Sequence, residues 1–64
     1  MSNQKDTQAQ LAETVRIAGV LLDNLRLLNT DPNPMFHLLV LPEIGKAAEI
    51  YRQLQLIETT LERG

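Results

Sequence analysis

Leu11, Val15, Ala18, Leu22 and Leu25 recur at alternating intervals of four and three residues. That spacing admits little besides an α-helix that hides one seam along its length, as in a coiled coil. Leu21 and Leu28 widen the stripe on one flank and Ile17 widens it further, so the apolar sector exceeds what one partner helix covers. Val20 and Leu27 lie nearly opposite, leaving a narrow polar wedge around Arg16, Asp23 and Arg26.

Helix boundaries follow from the polar residues around this stripe. Thr7 and Gln10 match a capping box, which predicts a helix over 7–29 and a flexible tail over 1–6. Asn29, Thr30 and Asp31 compete for backbone hydrogen bonds, and Pro32 disfavours helix before it, so residues 30–33 form a turn. Asn33 then reads as an N-cap with Pro34 at the first helical position, opening a second helix over 34–63. Pro42 falls inside that helix, where a proline costs about 3 kcal/mol, so a kink or short break is expected, with the bent continuous form preferred. Phe36, Val40, Ile44, Ala47, Tyr51 and Leu54 share a face across the proline, joined by Ile50, Ile57 and Leu61 beyond it.

The fold class is therefore all-α: one domain over 7–64, built as an antiparallel helical hairpin. Counting outward by equal steps from a turn centred near Pro32 sets Leu22 near Ile44, the Ala18–Gly19 pair near Ala47 and Ala48, Val15 near Tyr51, and Leu11 near Leu54. The residues expected to pack the two helices together are Leu11, Val15, Ala18, Gly19, Leu22, Leu25, Ile44, Ala47, Ala48, Tyr51 and Leu54. Glycine within a helix costs about 1 kcal/mol relative to alanine, so Gly19 points to close backbone approach; Gly45 serves the same end or relaxes the turn after Pro42.

A chain of 64 residues has little surface to hide, and with no cysteine it has neither disulfides nor thiolate metal sites to make up the shortfall. Association is the remaining device. Val20, Leu27, Met35, Leu38, Leu41 and Leu56 lie off the intrachain seam and are the expected partner interface. The simplest cover is a second hairpin related by two-fold symmetry, giving a homodimeric four-helix bundle, and a different protein partner serves the same physics.

Other chemistry is thinly represented. Six basic and eight acidic residues are spread evenly, three against four in each half, so no basic stripe suits a nucleic-acid backbone. Glu13–Arg16, Asp23–Arg26, Glu43–Lys46 and Glu49–Arg52 read as ion pairs one turn apart on solvated faces. The longest apolar run, Leu38 to Leu41, is too short for a membrane span, and the polar N-terminus lacks a signal-peptide core, which makes the cytoplasm the expected compartment.

His37 is the only histidine, with no cysteine or second histidine to share a metal, and an ordinary, partly exposed position off the seam is expected for it. No Ser or Thr stands near it in sequence, and Glu58 and Glu62 lie at a solvated helix end, so neither an enzyme nor a cofactor or metal site is expected. The function that fits is a small protein–protein interaction module: an adaptor, co-chaperone or inhibitory subunit. The alternative is a dimeric helix-turn-helix regulator of transcription with its break around Asp31–Pro34 or Pro42, reading DNA after Pro42 with Lys46, Arg52, Gln53 and Gln55, against the repulsion of Glu43, Glu49 and Glu58.

Overall fold

A computed structural model of the chain describes residues 4–63 and contains two helices, α1 (Gln4–Leu28) and α2 (Pro34–Arg63). They fold back on each other as an antiparallel hairpin, a rod of 47 × 16 × 15 Å. Its length is that of α2 alone, since 30 helical residues rise about 45 Å.

The start of α1 differs from the expectation. Helix begins at Gln4, so Thr7 lies inside it rather than capping it, and of the expected tail only residues 1–3 lie outside the described residues, as Gly64 does at the other end. Asp6 occupies the first turn, where a negative charge favours the exposed N–H groups and the helix dipole.

The turn is held by local polar groups. The amides of Thr30 and Asp31 reach back three residues to the carbonyls of Leu27 (3.1 Å) and Leu28 (3.2 Å), tightening the end of α1. No described residue takes a positive φ. Asn33 caps α2: its Oδ1 accepts from the amides of Met35 (2.9 Å) and Phe36 (3.4 Å), while its own amide donates to Asp31 Oδ1 (2.9 Å). Helix α2 then passes through Pro42 without interruption. Pro42 is exposed, on the side of α2 turned away from α1, where water can reach a carbonyl that lacks its helical partner.

The core is a single seam. Val15, Leu22, Val40 and Ala47 are buried, and Leu11, Ala18, Gly19, Leu25, Ile44, Ala48, Tyr51 and Leu54 are half-buried beside them. Among the described residues no large side chain is completely enclosed: even Leu22, the best covered, keeps 5% of its surface.

The register across the seam is displaced by about one turn from that obtained by counting out from Pro32. Gly19 lies against the Tyr51 ring, Gln8 Nε2 donates to the Leu61 carbonyl at 3.5 Å, and Ala47 lines a groove with Leu21 and Leu25. Ala47 thus sits at the level of Leu22 rather than of Ala18 and Gly19. At the turn the pairing is still the equal-step one, His37 Nδ1 lying 3.4 Å from the Asn29 carbonyl, so the displacement arises further along the seam. In the displaced register large residues meet small ones, Tyr51 on Gly19 and leucines around Ala47, and a two-layer seam packs well that way.

Candidate functional site

Once the seam is known, helix geometry sorts every other side chain. In an antiparallel pair, the residues one position before each seam position fall on the same flank of both helices, and those one position after fall on the other. The first flank collects Ile17, Leu21 and Leu28 from α1 with Leu39, Ile50 and Ile57 from α2, all of them half exposed or more. An open groove of about 370 Å³ joins the two rows, lined by Leu21 and Leu25 on one side and by Glu43, Lys46, Ala47 and Ile50 on the other.

Ile50 and Ile57, expected to continue the inner face of α2, are 56% and 52% exposed and belong to this flank. They stand next to seam residues in sequence, a rotation of about 100° around the helix, so a coarse apolar stripe merges them with the core. Assigning the 3–4 seam first and then reading the neighbouring positions would have separated them.

Polar character is divided just as unevenly. Among the described residues, the apolar stretch of the first flank from Ile17 to Ile57 carries only Glu43 and Lys46 as charged residues, and these bind each other at 3.1 Å; Asp6 lies beyond it, beside Thr7 and Gln10. The opposite flank carries Lys5, Arg16, Asp23, Arg26, Arg52 and Glu62, together with Gly19, Gly45 and Ala48. Arg16 pairs with Glu13 at 2.5 Å and Arg52 with Glu49 at 2.6 Å, whereas Asp23 and Arg26 do not form the expected pair. Hydrogen bonds from the guanidinium groups hold the carboxyls of Glu13 and Glu49 below the ordinary glutamate range, with Gln53 adding to the effect at Glu49.

The six residues expected to form the partner interface are all exposed, and the fold does not bring them to one place. Val20 and Leu27 point away from α2, Leu38 and Leu56 point away from α1, Leu41 lies on the more charged flank, and Met35, one position before Phe36, falls at the turn end of the apolar flank. The continuous apolar surface is that apolar flank, from Leu28 and Leu39 near the turn to Ile57.

The accessible surface of the hairpin is 5014 Å². A compact monomer of this 7.2 kDa mass exposes about 4,100 Å² by the usual scaling, which leaves a surplus of about 900 Å².

Among the described residues no three His, Cys, Asp or Glu side chains are placed to hold a metal ion, and no helix is long and apolar enough to cross a membrane. His37 is half-buried where the turn closes, facing Asn29. Beside it, Asn29 Oδ1 is buried without a hydrogen-bond partner, and this polar residue ends the apolar seam of α1.

The structure thus defines an all-α helical hairpin with one apolar flank. Compared with known protein families, with curated proteins and with solved structures, the chain matches none of them.

Proposed function

We propose that this hairpin is a protein–protein interaction module, an adaptor, co-chaperone or inhibitory subunit, that acts by laying an apolar helical face against another protein and assembles as a homodimeric four-helix bundle. The observation that carries this reading is the surplus of about 900 Å² of surface relative to a compact chain of the same mass, on a molecule whose exposed residues include twelve large apolar side chains. Large apolar side chains exposed in that number mark a surface that works when covered. The module needs no cofactor, acts without nucleic acid or membrane, and suits the cytoplasm.

A DNA-binding regulator draws less support. A helix-turn-helix at Pro42 needs a break that α2 does not have; one at Asp31–Pro34 has its break, but Lys46 and Arg52 are each engaged by a glutamate whose charge opposes phosphate. Two measurements test the proposal: the solution mass by light scattering, expected above that of one chain, and electrophoretic mobility of random-sequence DNA at low salt, expected unchanged. A single-chain mass at high concentration with no binding mate, or DNA binding that weakens with salt, would overturn it.

A further inference from the structure

We infer that the flank formed by Ile17, Leu21, Leu28, Leu39, Ile50 and Ile57 is the self-association surface of this protein, and that its occupant is the same flank of a second copy. This rests on the interaction-module reading and narrows it to one face and one partner.

The area favours a second copy. A standard interface takes about 800 Å² from each partner, close to the surplus of about 900 Å² that the hairpin shows. Two hairpins laid flank to flank therefore bring each chain to the exposure of a compact monomer, with no third component required.

Charge allows the same occupant. A surface that docks on its own copy must not repel itself, and the apolar stretch of this flank from Ile17 to Ile57 is neutral, because the two charged residues within it, Glu43 and Lys46, are already paired at 3.1 Å. The opposite flank has Lys5, Arg16, Arg26 and Arg52 with Asp23 and Glu62; Arg16 and Arg52 are held by Glu13 and Glu49, and any face-to-face contact there would have to bury the charges of Lys5, Asp23, Arg26 and Glu62. The outward side of each helix offers only isolated apolar residues among the described ones: Val20 and Leu27 on α1, Leu38 and Leu56 on α2.

The geometry is compatible with closure. From Leu39 to Ile57 the apolar row rises about 27 Å along α2, and Leu21 and Ile50 stand near its middle on either side of the groove. A two-fold axis in the plane between the two hairpins, whether along the rods or across them, leaves each helix next to antiparallel neighbours, the usual arrangement of a four-helix bundle. Leu21 and Ile50 are then the central contacts.

Sedimentation of the full chain and its variants tests this. The native protein is expected at twice the 7.2 kDa chain mass. Leu21→Glu and Ile50→Glu should each raise the dimer dissociation constant by about thirtyfold or more, as central interface residues do. Val20→Glu with Leu56→Glu, on the outward sides, should leave it unchanged. Because a dissociated hairpin can lose its fold, cross-linking gives a second readout in the native background. The chain has no cysteine, so Leu21→Cys, Ile50→Cys or an equimolar mixture of the two should form disulfide-linked dimers faster than Leu56→Cys.

A native dimer that Leu21→Glu and Ile50→Glu leave intact, or that cross-links best through position 56, overturns the assignment of the face while leaving the interaction-module reading in place. A monomeric native chain at high concentration overturns the second copy as occupant. If a different protein then binds and masks Leu21 and Ile50, the broader reading stands without the homodimer.

Discussion

Gly19 and Gly45 are both helical, yet their surroundings are opposite. A Cβ at Gly19 would stand 3.2 Å from Cε1 of Tyr51, whereas one at Gly45 would meet nothing within 4 Å. Gly45→Ala should therefore stabilise the hairpin by about 0.5–1 kcal/mol, through the lower entropy of the unfolded chain and better helix propensity, and raise the thermal midpoint by several degrees. Gly19→Leu should displace the Tyr51 ring and cost about 1–3 kcal/mol, seen as a lower midpoint in the same melting experiment. An unchanged midpoint would show that Tyr51 has room to move aside. That Gly19 had a packing role was legible in the sequence; that it receives an aromatic ring rather than a facing alanine was not, because the level at which two helices meet is not written in either of them.

At the scale of the elements, α2 carries a defect in its interior. Pro42 leaves the Leu38 carbonyl without a helical donor, and the residue is exposed, so replacement by alanine creates no clash in the seam. Pro42→Ala is expected to stabilise α2, by up to about 3 kcal/mol, and to raise helicity by circular dichroism. A loss of stability instead would mean that the proline shapes α2 for a contact outside the hairpin. The ion pairs give the elements a weak pH dependence. Arg16 and Arg52 depress the carboxyls of Glu13 and Glu49, so their contribution is full above the ordinary glutamate value of 4.5 and is lost as pH falls through the depressed values. Both pairs are exposed, and the effect should be small and removed by high salt. An acid titration of helicity, repeated with Glu13→Gln and Glu49→Gln together, should show the native chain losing more than the double variant over that range.

For the whole molecule, the thinness of the seam is the governing fact. Four buried residues and no fully enclosed large side chain among those described make a small core for a rod with 5014 Å² of accessible surface. A hairpin of this kind gains stability when its apolar flank is covered, so its melting temperature should rise with protein concentration, as mass action requires of a chain stabilised by association. A midpoint constant over a hundredfold range of concentration would show that one chain folds unaided. The apolar flank was partly visible beforehand, since Ile17, Leu21 and Leu28 stand out beside the α1 seam. Its other half was hidden, because Ile50 and Ile57 look like core until the seam of α2 is known.

The amino-acid sequence by itself determined that there are two helices, where the turn between them falls, and which residues turn inward, Ile50 and Ile57 excepted. Those properties depend on side-chain periodicity, on Asn33 as a cap and on Pro32 as a breaker, all of which act over a few residues of chain. The vertical register and the division of the outside into an apolar and a charged flank were decided only by tertiary structure. Both depend on how two rods settle against each other, with His37 returning to Asn29 and Tyr51 lying over Gly19, and such contacts join residues that no local pattern connects.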